Sequence, residues 1–149
     1  MNAISVLREN LESLIEDFII KYDELGLRAT GEWAKSLELN PTGTGFEILG
    51  AEYTENLTNG TPPGENVEFD RLKEWVKIRF NTTDEGALNG ITANIARNIF
   101  EEGTTHYQNG GTDLIDGVLT QQREDEIMDD VGQSILTQIE EDILRAIFV

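Results

Sequence analysis

The residues of this chain that could do chemistry are few in type, and their spacing favours no reaction. One histidine and no cysteine occur in 149 residues, so a nucleophile activated by an imidazole would have to use His106. That histidine lies in a glycine-rich stretch with no Gly-x-Ser-x-Gly motif. We therefore expect a histidine that is exposed or hydrogen-bonded, and no catalytic residue.

Carboxylates are plentiful, with 29 Asp and Glu residues, but their pattern indicates helix surface. A glycosidase-type pair needs a fold that buries one carboxyl and shifts its pKa. The adjacent acids instead fall on predicted helices, at Asp84-Glu85, Glu101-Glu102, Asp129-Asp130 and Glu140-Glu141. The cluster from Glu124 to Asp130 lacks the alternating spacing and central glycine of a calcium loop. We expect no metal and no cofactor, and an enzyme with a carboxylate dyad is the least favoured class.

The net charge of −18 is spread along the whole chain. Residues 1–64 carry −7, residues 65–120 carry −5 and residues 121–149 carry −6. Such a surface repels nucleic-acid phosphates and anionic lipids. The densest basic cluster, Arg71, Lys73, Lys77 and Arg79, is interleaved with Asp70 and Glu74, as in a solvated helix face. We expect no sequence-specific nucleic-acid binding and no membrane partner.

The absence of cysteine fits a reducing compartment. We find no pattern of a signal peptide, and no apolar run approaches the roughly 20 residues of a membrane span.

Apolar periodicity predicts four helices, at about residues 2–26, 66–80, 85–102 and 119–147. Gly26 and Gly103 are placed to end the first and third helices, and Asn66 to cap the second. We expect Phe80 and Phe100 on buried faces.

Between the helices, residues 36–39 and 45–51 predict a β-hairpin around the turn-forming Asn40–Gly45. Residues 27–35 read as a linker, and residues 103–117 as a loop or edge segment. The expected fold class is α+β: a β-hairpin or small antiparallel sheet packed with three to four helices, including a long C-terminal helix. We expect a single domain over residues 1–149.

The last predicted helix has an apolar residue at every fourth position from Ile127 to Ile147. With 3.6 residues per turn, such a stripe rotates by about 40° per step. One neighbour cannot cover it along its full length. We expect this helix to pack on the core at one end and to contact something else at the other.

The stretch from Tyr53 to Gly64 predicts a short helical turn followed by a sharp Thr-Pro-Pro-Gly corner. Its residue types favour a structural role over a catalytic one. Trp33 and Trp75 are expected core anchors. Tyr53 and Leu57 are expected to pack the hairpin onto the helix predicted at about residues 66–80.

The order of short motifs resembles the tail-completion, or neck, proteins of tailed bacteriophages. That family has a Thr-Gly-x-Leu-x-x-Ser segment before the first strands, matched here by Thr30 to Ser36 with Trp33 at the aliphatic position. The remaining matches are Tyr53-x-x-x-Leu57-x-x-Gly60-Thr61, Leu72-x-x-Trp75 and Ala96-Arg97-x-Ile99-x-x-x-Gly103. Asn59 stands where the family often has an acidic residue. The resemblance covers about residues 5–147.

The resemblance implies a structural virion protein without enzymatic activity. Such a protein forms or joins a ring at the phage head–tail junction, as a connector, tail-completion protein or tail terminator. Implied partners are copies of itself in a homo-oligomer ring and other neck, portal or tail proteins, with DNA passing through the ring. The implied location is the virion, after assembly in the host cytoplasm.

The candidate interface residues are Tyr53, Leu57, Gly60, Pro62, Pro63, Ile139, Ile143 and Ile147. The alternative function is an acidic protein-binding module, an inhibitor or a nucleic-acid mimic, which strong acidity without chemistry would suit. Because subunits of like charge repel one another, we expect a free protein that is monomeric or weakly associated. A ring would then form only on a template of complementary charge.

Overall fold

The fold is α+β, as predicted, and the computed structural model describes residues 2–28 and 30–147. Its elements in chain order are α1 (Ala3–Glu24), α2 (Glu32–Ser36), β1 (Glu38–Pro41), β2 (Phe46–Leu49), α3 (Thr54–Asn59), α4 (Phe69–Phe80), α5 (Glu85–Glu102), α6 (Thr105–Gln108) and α7 (Gln121–Ile147). Residues 1 and 148–149 of the predicted domain, and Ala29 of the predicted linker, lie outside the described residues.

Helix α1 has a defined stop at each end. The Asn2 side chain accepts a hydrogen bond from the Ser5 amide at 2.8 Å, which satisfies one of the free N–H groups of the first turn. At the other end Gly26 adopts φ +70°, and the Leu27 amide donates to the Tyr22 carbonyl at 3.2 Å. This is the glycine-terminated stop that the sequence predicts, because a left-handed residue after a helix is easiest for glycine.

The predicted linker at 27–35 is wrong in its second half, which forms α2. The Trp33 side chain on this short helix is only 1% exposed. Its indole N–H donates to the Thr54 hydroxyl at 2.9 Å, and its ring lies 4.9 Å from that of Tyr22. Five residues are too few to show an apolar period, so burial of the tryptophan stabilises this turn where local pattern does not.

The predicted hairpin is confirmed as β1 paired antiparallel with β2, with Glu38 opposite Leu49 and Pro41 opposite Phe46. In the connecting turn the Thr42 amide donates to the Gly45 carbonyl at 2.8 Å. One side of the hairpin faces α1, where the Arg8 guanidinium lies 5.1 Å from the centre of the Phe46 ring.

The main core forms where α1, α2 and the segment after α6 meet. Its buried members are Leu14, Phe18, Tyr22, Trp33 and Leu114. Leu114 is fully buried, although the sequence predicted only a loop or edge segment at 103–117. Leucine within a glycine-rich polar stretch has no periodic neighbours, so only the tertiary fold reveals its burial.

Helices α4 and α5 pack on each other around Val76, Leu88 and Thr92, which are not part of the main core. Helix α5 begins and ends where predicted, with the Asp84 side chain accepting from the Ala87 amide at its start. Helix α4 begins later than predicted: its N-cap is Glu68, so Asn66 does not cap it.

Two buried-face predictions on this helix pair are wrong. Phe80 is 53% exposed and Phe100 is 46% exposed. Both lie near helix ends, since Phe80 is the last residue of α4 and Phe100 lies in the last turn of α5. Trp75 is half-buried and sits edge-on to Phe80, with ring centres 6.5 Å apart.

Candidate functional site

The first half of α7 is fixed to α1. The Thr120 hydroxyl accepts from the Arg123 amide at 3.1 Å, which caps the start of the helix. The Arg123 guanidinium then donates to the Asp17 carboxylate at 2.6 Å and to the Ser13 hydroxyl at 3.3 Å. Helix α7 therefore begins beside the second half of α1.

The two helices run antiparallel, and α7 continues past the place where α1 begins. A shallow apolar groove lies between the start of α1 and the second half of α7. It is lined by Asn2, Ala3, Ile4, Ile135, Gln138 and Ile139. Residues 140–147 extend beyond it, a length of about 12 Å at 1.5 Å per residue. All residues from 135 to 147 are exposed.

This uncovered part of α7 carries a row of large apolar side chains, which we call the α7 stripe. Its members are Ile135, Leu136, Ile139, Ile143, Leu144 and Ile147. Among the predicted interface residues, Ile139 is 49% exposed, Ile143 is 53% exposed and Ile147 is 64% exposed. Apolar side chains this exposed and this close together are unusual unless something else covers them.

The four-residue period explains why α1 cannot cover the α7 stripe. Ile127, which is half-buried, and Ile143 are separated by four steps of four residues. Each step rotates the side chain by about 40° around the helix axis, so the two side chains point about 160° apart. A side chain that faces α1 at the start of α7 is thus replaced by one that faces away near its end. The expectation that α7 packs on the core at one end is met only by its contact with α1, because no residue of α7 is buried or packs against the main core.

One acid lies inside the α7 stripe. Glu140 is four residues from both Leu136 and Leu144, so these three side chains share one row of the helix. Among the described residues Glu140 takes part in no ion pair. The nearest base in sequence, Arg145, approaches Asp142 at 3.7 Å instead. A surface that covers the α7 stripe must therefore also accommodate a negative charge.

The other predicted interface residues form a locked corner between α3 and α4. Gly60 is buried, and a Cβ there would lie 2.3 Å from the Tyr107 backbone nitrogen, so only glycine fits. Its neighbour Thr61 donates its amide to the Thr104 hydroxyl at 3.0 Å, and the Thr104 amide donates to the Thr61 carbonyl at 2.9 Å. These two hydrogen bonds hold the corner against the start of α6.

Further hydrogen bonds, made by Thr112, hold the same region. The Thr112 amide donates to the Thr58 carbonyl at 2.6 Å, and the Thr112 hydroxyl lies 3.0 Å from the Leu57 carbonyl. Leu57 is half-buried against the main core, Pro62 is half-buried and Pro63 is exposed. Of this group, Pro63 offers the most surface to a partner.

Tyr53 borders a shallow polar depression beside α4. The Arg71 guanidinium stacks over its ring at 4.4 Å, and Glu52, Asn56 and Glu68 complete the lining with Ala51. Partial burial raises the pKa of the Tyr53 phenol, and the nearby Arg71 charge opposes that rise. The contact of Tyr53 with Arg71 confirms its expected packing on the helix predicted at about 66–80, which is α4. Both Tyr53 and Leu57 pack against the main core, and their expected contact with the hairpin stays a prediction.

Sequence reasoning missed the exposure of the last four residues of α4, Lys77, Ile78, Arg79 and Phe80, which we call the α4 tip. Ile78 and Phe80 are two positions apart and therefore lie on different sides of the helix. Ile78 is 51% exposed, and both cations beside it are exposed. Among the described residues, neither Lys77 nor Arg79 takes part in an ion pair. The basic cluster of α4 indicated that this part of the helix is exposed. The spacing of Phe80, however, also fits the apolar stripe that was expected to be buried.

The remaining chemistry-bearing residues are dispersed. His106 is half-buried on α6. Within the described ranges, no three His, Cys, Asp or Glu side chains lie together as a metal site. No helix in that part of the chain is long and apolar enough to cross a membrane.

Comparison of the chain with family models, curated proteins and solved structures finds no match in any of the three.

Proposed function

We propose that this protein is a structural subunit of a tailed bacteriophage that forms or joins a ring at the head–tail junction. Its role would be that of a connector, a tail-completion protein or a tail terminator. Copies of itself and other neck, portal or tail proteins are its proposed partners, and the virion is its proposed location. DNA would pass through the ring without sequence-specific contact.

One observation carries the proposal: two of the motifs that resemble the neck family meet in space. One motif ends at Gly60-Thr61 and another at Gly103, and Thr61 exchanges hydrogen bonds at 3.0 Å and 2.9 Å with Thr104, the residue directly after the second motif. A Cβ at Gly103 would lie 2.8 Å from the Thr61 carbonyl, so the second glycine is needed for the same contact. Chance similarity in two short segments does not require that they fit each other.

The surface of the molecule supports the same function. A chain of net charge −18 repels DNA, which suits a ring through which DNA slides. The α7 stripe provides apolar area for contact with another subunit. These features favour assembly over catalysis.

The test is immunogold electron microscopy of virus particles purified from the source lysate, with an antibody raised against this chain. We expect gold label at the head–tail junction. A control antibody against the major capsid protein should label the head and not the junction. Intact particles without label at the junction, together with the protein in the soluble fraction, would exclude the proposal.

The second candidate is an acidic module that binds a basic protein, favoured by the even spread of charge and by Glu140, which forms no ion pair among residues 2–28 and 30–147. Complementary charge would give such a module fast association that weakens with salt. Tight binding of one copy to one basic partner, without any ring, would favour this function.

A further inference from the structure

An acid lies on each side of the centre of the α7 stripe. That centre is Ile143, and the stripe members four residues before and after it point about 40° to either side. At about 100° per residue, Glu140 points about 60° to one side of Ile143 and Asp142 about 100° to the other. The only base between residues 124 and 147 is Arg145, which points about 160° away, on the opposite side of the helix. The charges that border the apolar row are therefore negative on both sides.

The four-residue spacing also determines how a second helix can pack on this row. Ile139, Ile143 and Ile147 form one ridge of the i±4 kind. Two helices whose ridges of this kind interdigitate cross at about −50°. Such a crossing limits the contact to a few turns, which matches the short length of α7 that extends past the start of α1. All of that length is exposed, so a helix can approach it from the side of the row.

We infer that the end of α7 is a docking element for a helix of a different protein, whose own apolar row is bordered by lysines or arginines. The apolar side chains of the partner cover Ile139, Ile143 and Ile147, which removes apolar surface from water. Its cations lie against Glu140 on one side and Asp142 on the other. Charges at such flanking positions set partner choice and orientation, as they do beside the seam of a coiled coil.

A second copy of this chain fits the surface poorly. Two α7 helices placed together would bring Glu140 and Asp142 of one copy against the acids of the other, and Arg145 already lies 3.7 Å from Asp142. Like charges across an interface discriminate against a partner. The densest basic cluster of the chain includes Lys77 and Arg79, but the two large apolar side chains of the α4 tip lie on different sides of the helix and form no row. Two copies of charge −18 also repel each other over a longer range.

This inference deepens the proposed function and rests on it for the source of the partner, which would be another neck, portal or tail protein. In that setting the end of α7 joins this subunit to a neighbouring virion protein instead of to its own copies. The chemistry of the contact, an apolar row between two acids, stands without the virion.

Two synthetic helical peptides test the inference on the full chain. Both contain about three heptads with leucine at positions a and d, and one has lysine where the other has glutamate at positions e and g. Fluorescence anisotropy of each labelled peptide at physiological salt measures its dissociation constant. We expect the lysine peptide to bind at least about tenfold more tightly, because its cations meet the acids on both sides of the row.

Variants of the row separate the α7 stripe from the acidity of the whole chain. Ile143→Asp should weaken binding of the lysine peptide by about tenfold or more, since it places a charge at the centre of the row. The matched control is Ile20→Asp, because Ile20 is 54% exposed in the second half of α1 and the substitution adds the same charge. It should change binding by less than about twofold, since salt screens a charge that lies away from the contact.

A pair of charge reversals tests the borders of the row. Glu140→Lys combined with Asp142→Lys should reduce the preference for the lysine peptide over the glutamate peptide by about tenfold or more. The control combines Glu101→Lys with Glu102→Lys, which changes the net charge equally at two exposed positions of α5. It should leave most of the preference in place. A preference that depends on the α7 pair alone would not follow from the summed charge of the chain.

Three results would overturn the inference. Equal binding of the two peptides would show that the partner needs no basic border. Equal effects of Ile143→Asp and Ile20→Asp, or of the two pairs of charge reversals, would place the peptide elsewhere on the chain. Self-association of the unaltered protein that Ile143→Asp abolishes would make a second copy the occupant.

The two proposals fail separately. Gold label at the head–tail junction combined with any of these three results would keep the proposed function and reject this contact. The expected peptide preference, together with intact particles that carry no label, would keep the contact and reject a virion protein as its partner.

Discussion

At the scale of single residues, the two tryptophans differ in what they hold together. Trp33 is almost completely buried, donates a hydrogen bond to Thr54 and contacts the Tyr22 ring. Trp75 is half-buried, and Val76 beside it occupies the centre of the contact between α4 and α5. The core-anchor prediction is confirmed for Trp33 and holds only in part for Trp75.

We therefore predict that Trp33→Ala lowers the free energy of unfolding by about 3–5 kcal/mol, since it removes a large buried side chain. Trp75→Ala should cost clearly less, about 1–3 kcal/mol, because part of its ring already contacts water. Urea denaturation followed by circular dichroism measures both. Equal losses for the two variants would contradict the difference in burial on which this prediction depends.

At the scale of elements, α7 is one helix with two different environments. Its first half is tied to α1 through Arg123 and Asp17, and its second half carries the exposed α7 stripe. The same substitution should therefore change the stability very differently in the two halves.

We predict that Ile143→Asp changes the free energy of unfolding by less than about 0.5 kcal/mol, as is usual for exposed positions. The matched control, Ile127→Asp, places a charge at a half-buried position in the half of α7 that lies beside α1 and should cost about 2 kcal/mol or more. Thermal melts of both variants give the comparison. Strong destabilisation by Ile143→Asp would mean that the end of α7 packs on its own chain.

The elements also show what sequence could predict. Helices α1 and α5 lie close to their predicted bounds because Gly26, Gly103 and regular apolar spacing act locally. Helix α2 and the burial of Leu114 were missed, since both depend on contacts made by distant parts of the chain. The exposure of Ile143 followed from a four-residue period alone, whereas the α4 tip was hidden because Phe80 continues an apolar stripe.

At the scale of the whole molecule, charge opposes assembly. Of the 11 Lys and Arg residues, six form the ion pairs present among residues 2–28 and 30–147, most of them at the surface. Surface pairs of this kind contribute at most about 1 kcal/mol each. Most of the 29 acids therefore act through their summed field.

We predict that the purified protein sediments as a monomer at about 0.01 M salt, where the Debye length is roughly 30 Å, and associates weakly at about 0.15 M, where it is roughly 8 Å. Sedimentation velocity over a range of protein concentrations measures this. A stable ring at both salt concentrations would show that the contacts between copies overcome the charge without a template.

The pairing of α1 with α7 has a consequence for synthesis on the ribosome. Leu14, Phe18 and Leu114 belong to one buried cluster, and Asp17 contacts Arg123, so the first helix to be made closes against residues made about a hundred positions later. Contacts this distant in sequence form slowly, because a long loop must close before they stabilise anything. The part of the apolar face of α1 that these late residues cover therefore stays exposed while most of the chain is translated, and nascent chains that end at residue 102 should bind chaperones or the hydrophobic dye ANS. Chains released after residue 127 should not.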